Sequence, residues 1–130
     1  MENRDGEQHN KKKNQNRKLG HIQEKIAIDF LIKNGYNIKI SNYARQCGEI
    51  DIIAQKDDYI HFIEVKYRKN TNYGYPREAV TKSKQTKIKK TSLYYIQELG
   101  EEIDIKEIGY SFDVIEIIDK EINYIPNAFY

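Results

Sequence analysis

Residues Cys47 to Arg68 read CGEIDIIAQKDDYIHFIEVKYR. β-Branched and aromatic residues fill Glu49 to Ala54 and Tyr59 to Arg68, and the polar run Gln55-Lys56-Asp57-Asp58 separates them, so the stretch predicts a β-hairpin. Side chains alternate across a strand, which puts Ile60, Phe62, Glu64, Lys66 and Arg68 on one face of the second strand and His61, Ile63, Val65 and Tyr67 on the other. The first face is apolar as far as Phe62 and charged from Glu64 onward. A strand with one side in water would more simply be polar along its whole outer face. The pattern predicts a strand that leaves a core and enters a pocket.

On the first strand Asp51 lies between Ile50 and Ile52, where a carboxylate is costly to bury unless something positive pairs with it. Lys66 and a divalent cation are both candidates. The twelve residues 52 through 63 separate Asp51 from Glu64, a spacing that lets the hairpin set the two carboxylates side by side. Glu49 shares the strand face of Asp51, and either extends the site or ends the strand. Two carboxylates and a lysine, ordered Asp and then Glu-Val-Lys, suit metal-assisted phosphodiester cleavage. Hard oxygen ligands hold Mg²⁺ (or Mn²⁺) and leave waters on it, and the metal activates one water while neutralising phosphate charge. An ammonium two residues beyond a ligand, on the same face, can orient the attacking water and stabilise the transition state. Glu-x-Lys alone is equally an ordinary charged strand; Gly-Glu-Ile-Asp at hairpin distance gives it its weight.

At 130 residues the chain is long enough for one domain with a real core. One cysteine excludes an internal disulfide and a cysteine-based zinc site, and suits a reducing compartment. No apolar stretch approaches the ~20 residues that span a bilayer, and the first residues lack the apolar segment of a signal peptide, so a cytoplasmic protein without a membrane anchor is expected. A formal charge of +2 is too small to argue for nucleic acid. Its distribution says more: basic residues gather in Lys11 to Lys18 and Lys82 to Lys90, acidic ones in Glu98 to Glu107.

Residues 1–17 are almost all polar and read as a disordered basic tail, either merely solvated or an arm on nucleic-acid backbone, with the single domain occupying 18–130. Leu19 to Lys33 has helical spacing, with Leu19, Ile22, Ile26 and Phe30 as a stripe beside Ala27 and Leu31, and Asn34-Gly35 as a left-handed cap. Glu24 stands at the border of that stripe. Tyr36 to Ser41 reads as a short strand, followed by a loop from Asn42 to Gln46. Arg45 in that loop either reaches a phosphate or is plain surface. The loop Lys69 to Arg77 carries Tyr73 and Tyr75 beside Arg68, Lys69 and Arg77, a mixture that suits stacking on an unpaired base or simple loop packing. A second helix is expected from Thr81 to Gly100, with Ile88, Tyr95 and Leu99 inward. Lys82 and Lys84 at its start oppose the macrodipole but suit phosphate. Glu101 to Glu107 reads as a linker or short strand, Ser111 to Ile118 as a strand, and Pro126 to Tyr130 as a tail.

GEIDIIA, FIEVKYR and YGYPREAVTKSKQTKI together resemble the YraN family of small bacterial proteins, related to the Holliday-junction resolvases within the PD-(D/E)XK nuclease superfamily. The likeness runs from about Leu19 to the C-terminus, where Asn127-Ala128-Phe129 also matches the family ending. It implies an α/β restriction-endonuclease-like core of order αβββαβ, a central mixed β-sheet flanked by helices. It also implies a Mg²⁺-dependent nuclease site, with Asp51, Glu64 and Lys66 catalytic and Asp51 and Glu64 on the metal. Glu24 matches the acidic position of the family's Gly-x-x-Gly-Glu-x-x-Ala pattern and would face the metal; Lys84 or Gln85 would turn toward the site from the second helix. Lys82, Lys84, Arg68 and Arg45 are the candidate phosphate contacts. The implied function is an endonuclease acting on DNA, branched DNA included, as a homodimer if it cuts both arms of a junction. Two departures stand out. Gln23 replaces the second glycine of the helix pattern, and Ser111 replaces an arginine before Phe-Asp-Val. These favour the alternative, a non-catalytic nucleic-acid- or protein-binding module that keeps the fold.

Overall fold

A computed structural model describes residues 4–68, 80–100 and 108–130, with side chains from Lys18 onward. Helix α1 spans Arg4–Lys33, strands β1, β2 and β3 span Asn37–Arg45, Gly48–Lys56 and Tyr59–Arg68, helix α2 spans Lys82–Leu99, and strands β4 and β5 span Gly109–Ile118 and Glu121–Phe129. The five strands form one sheet in sequence order. β3 and β4 are parallel, joined across α2, and the other neighbours are antiparallel. The mixed sheet with helices on its faces is the expected α/β restriction-endonuclease-like core, with β5 added to the expected order. The tyrosine-bearing loop Lys69 to Arg77 and the acidic run Glu101 to Glu107 lie outside the described residues. Among the described residues no helix is long and apolar enough to cross a membrane.

Alternation along β3 divides the interior in two, as its sequence requires. Ile60 and Phe62 join Ile50, Ile53, Val114 and the α2 residue Ile88 in one core cluster. Ile63 joins Ile52, Ala54, Ile115 and the α1 residues Ala27 and Leu31 in the other. The helices therefore cover opposite faces of the sheet.

The central hairpin turns on Asp57 and Asp58 alone, because Gln55 pairs with Ile60 and Lys56 with Tyr59. Asp57 takes the positive φ that so short a connection demands. The end of α1 is the expected left-handed cap, with Gly35 at φ +86° and Tyr36 N–H donating to Leu31 O at 2.9 Å. Thr81 caps α2 by accepting from Lys84 N–H at 3.2 Å, and Gly100 closes it.

Three elements differ from the sequence reading. The backbone of α1 begins at Arg4, well before Leu19; Lys, Gln, Arg and Glu are good helix formers, and extending a helix is far easier than nucleating one. The inward stripe of α1 is Ala27 and Leu31, whereas Leu19, Ile22 and Ile26 are exposed. The small Ala27 lets the helix approach the sheet, and the larger apolar residues one step round face outward. Finally, the polar segments Asn42 to Arg45 and Pro126 to Phe129 are strand rather than loop and tail: Tyr43 pairs with Ile50, and Phe129 with Phe112. Both belong to edge strands, where polar residues and a proline without an N–H are tolerated.

Candidate metal-binding and catalytic site

The paired register of β2 and β3 runs from Lys56 and Tyr59 to Ile52 and Ile63. Just beyond it the Val65 N–H donates to Asp51 Oδ2 at 2.9 Å. Continuing the register one step sets Asp51 against Glu64, so the two carboxylates meet where main-chain pairing gives way to a side chain. Gly48, at the start of β2, brings α2 close: a Cβ there would stand 3.1 Å from Lys87 Cβ and Thr91 Oγ1. That approach brings the first turns of α2 over the carboxylates.

Two clefts open at this point, and Asp51 lines both. One, of about 240 Å³, lies on the α1 side and is walled by Glu24, Gln23, Asn42 and Val65. The other, of about 320 Å³, lies on the α2 side with Glu49, Glu64, Lys84 and Lys87. A Cβ on Gly20 would meet nothing within 4 Å, so the first cleft is open at that end, with Gln23 on its wall.

Glu64 is only 3% exposed, and Lys84 Nζ bonds its Oε1. Burial first, and then the negative charge of Asp51, push the Glu64 carboxyl up to about 7. Lys66 shares the charged face and is half-buried; burial and then the positive charge of Lys84 hold its ammonium below the usual lysine range. For Lys84 burial acts in the same direction, but the bond to Glu64 outweighs it and the net shift is upward. Glu24 accepts from Asn42 Nδ2 at 3.2 Å. Burial raises its carboxyl above the ordinary value despite that bond, with Asp51 adding to the effect.

The donor set fits a hard divalent cation. Glu64 Oε2 and Glu24 Oε1 are buried and have no hydrogen-bond partner, one on each side of Asp51. Such oxygens are costly to leave unsatisfied, and a cation or its waters would satisfy them. Among the described residues no three His, Cys, Asp or Glu side chains form a cage by themselves. Mg²⁺ does not need one, since it commonly keeps several waters and takes one or two carboxylates.

The structure thus brings Asp51, Glu64, Lys66, Glu24, Glu49 and Lys84 together. Lys82 is exposed on the first turn of α2 and is not among the residues that line either cleft. The remaining candidates are engaged elsewhere. Arg45 bonds Glu98, with Nε 2.9 Å from Oε1, and lies 4.2 Å over the Tyr43 ring. Gln85 Nε2 donates to Val80 O at 2.9 Å, within the start of its own helix. Arg68 pairs with the buried Glu116 at 3.0 Å.

Two residues were not legible in advance. Asn42, read as loop, reaches Glu24; its only signal was an asparagine in a polar run. Glu116 stands beside Lys66 in the parallel register and pairs with Arg68. That register depends on a crossover through α2, which local pattern does not encode. Ser111 bonds Asp113 and, at 2.8 Å, Asn127. It is part of a buried polar network away from the clefts.

These features define an α/β protein with an acidic, lysine-flanked cleft at the parting of two central strands. The chain belongs to the uncharacterised protein family UPF0102, whose model matches residues 23–117. Among its relatives, a UPF0102 protein of Thermodesulfovibrio yellowstonii is 46% identical over 112 residues, covering 86% of this chain and 96% of the relative. Another, from Clostridioides difficile, is 41% identical over 116 residues, covering 88% and 98%. A third, from Dictyoglomus thermophilum, is 46% identical over 120 residues, covering 88% and 98%.

Proposed function

We propose that the protein is a Mg²⁺- or Mn²⁺-dependent endonuclease of the PD-(D/E)XK type acting on DNA, with branched or otherwise structured DNA as the first substrates to examine. The observation that carries this reading is the pair of buried carboxylate oxygens without partners, Glu64 Oε2 and Glu24 Oε1, on either side of Asp51. Asp51 and Glu64 would hold the cation, with Glu24 binding directly or through water. A bound Mg²⁺ would supply Lewis acidity at the phosphate and a water of lowered pKa. Lys66, half-buried and held below the usual lysine range, is suited to orient a water by hydrogen bonding and to pass a proton at Nζ. Lys84 lines the cleft where phosphates would run, with Lys82 exposed on the same helix turn, a contact that positions without reading sequence. Asp51→Asn and Glu64→Gln should each abolish metal-dependent cleavage; full activity in both would refute the assignment.

A second reading is supported by the contact between Lys84 and Glu64, which neutralises one expected ligand within the chain itself. On that reading the fold holds nucleic acid or a protein partner without cutting. Wild-type protein that binds branched DNA in Mg²⁺, Mn²⁺ and EDTA alike, and cleaves in none, would favour it.

A further inference from the structure

Asn42 lies on edge strand β1 with φ +54°, in the left-handed region that asparagine tolerates better than most residues. Its Nδ2 crosses from the strand to α1 and donates to Glu24 Oε2 at 3.2 Å. The Glu24 side chain is only 13% exposed, and Nδ1 of the exposed His21 stands 3.9 Å from Oε2. The second oxygen, Oε1, is buried without a hydrogen-bond partner, and the residue lines the cleft shared with Asp51. A glutamate on a helix flank ordinarily turns its carboxylate to water; here one oxygen is tied down and the other is kept from solvent.

We propose that Asn42 is a positioning residue for Glu24: its amide, presented by the left-handed backbone within β1, holds one carboxylate oxygen so that the other stands as a cation ligand on the α1 side of Asp51. The inference rests on the metal-binding part of the function proposed above. An amide suits the task because it donates a hydrogen bond without a charge. A lysine or arginine at the same point would neutralise Glu24 and compete with the cation. Hydrogen-bonded partners of metal-ligating side chains typically change metal affinity 10- to 100-fold when removed.

The left-handed backbone supplies a clean variant. Asn42→Ala would add strain, whereas Asn42→Gly removes the amide where glycine is at ease. Isothermal titration with Mn²⁺ is run on wild type, Asn42→Gly, Glu24→Gln and the double variant, each checked by urea unfolding in EDTA. Asn42→Gly should keep an unfolding midpoint close to wild type and lose Mn²⁺ affinity about tenfold. The double variant should bind no more weakly than Glu24→Gln alone, because Asn42 acts through Glu24. Asn42→Gly binding Mn²⁺ like wild type, or adding its full loss to that of Glu24→Gln, overturns the positioning role while leaving the metal site standing. Wild type that binds no Mn²⁺ overturns the metal reading, and the positioning role with it.

Discussion

Lys84, in the first turn of α2, bonds Oε1 of Glu64, the buried carboxylate of β3, and so sets an internal ion pair in the wall of the α2-side cleft. The other Glu64 oxygen is left without a partner. On the proposed function, chain and cation compete for the same carboxylate. Lys84→Met removes the internal competitor. Because Lys84 is partly exposed and Glu64 can take up a proton, the cost in EDTA should be modest, about 1–2 kcal/mol by urea unfolding. Mn²⁺ should then recover more stability in the variant than it adds to wild type. An equal gain in both would mean that Lys84 does not compete.

The proposed cation binding would itself be visible as stability, since a ligand that binds only the folded state stabilises by mass action. At tenfold excess over the dissociation constant the gain is about 1.4 kcal/mol, or roughly 4–7 °C in melting temperature for a domain of this size. Wild type should show that rise on adding Mg²⁺ or Mn²⁺, and Asp51→Asn should show none. A rise that survives in Asp51→Asn would place the ion elsewhere.

Away from the clefts, Asp113 is fully buried and accepts from Asn127 N–H at 2.9 Å, with His61 Nδ1 2.6 Å from its other oxygen and the Ser111 and Tyr124 hydroxyls also bonded. Burial alone would raise its carboxyl, but these bonds outweigh burial and hold it below the ordinary value. A depressed carboxylate contributes stability that is present in full above its unfolded value, near 4, and is lost as pH falls through the folded one. Asp113→Asn should cost about 2–4 kcal/mol at neutral pH and flatten the acid limb of stability below pH ~4. Unfolding midpoints measured from pH 7 to 2.5 in EDTA decide this; an unchanged acid limb would show that Asp113 does not carry the effect.

The orientation of α1 can be tested through its two apolar faces. Leu31 is fully buried and Ile22 is 57% exposed. Leu31→Ala should cost about 2–5 kcal/mol and Ile22→Ala less than about 0.5 kcal/mol in chemical denaturation of the isolated protein. Comparable losses would mean that the outward stripe is covered in solution.

That test also marks where sequence pattern misled. Leu19, Ile22 and Ile26 outweigh Ala27 in any hydrophobic stripe, yet the helix turns its small residue and Glu24 inward. Close approach to the sheet and the lining of a cleft override apolar periodicity there, as expected if the proposed site is functional. The central hairpin was readable because alternation and a polar turn fix register locally, which brought Asp51, Glu64 and Lys66 together in advance. Helix α2 was readable because Thr81 and Gly100 punctuate it. Edge strand β5 was missed at Pro126, and the partnership of Arg68 with Glu116 was invisible because it depends on the non-local register of β3 with β4.

The most direct test of the proposed chemistry is incubation of labelled four-way, flapped and linear DNA with the purified protein in Mg²⁺ and then Mn²⁺, beside Lys66→Ala. The proposal predicts cleavage by wild type, lost in EDTA and reduced at least 100-fold in Lys66→Ala, in keeping with the usual contribution of a positioned acid or base. No cleavage of any substrate, with DNA binding intact and indifferent to Lys66→Ala, would contradict it and leave the fold as a binding module.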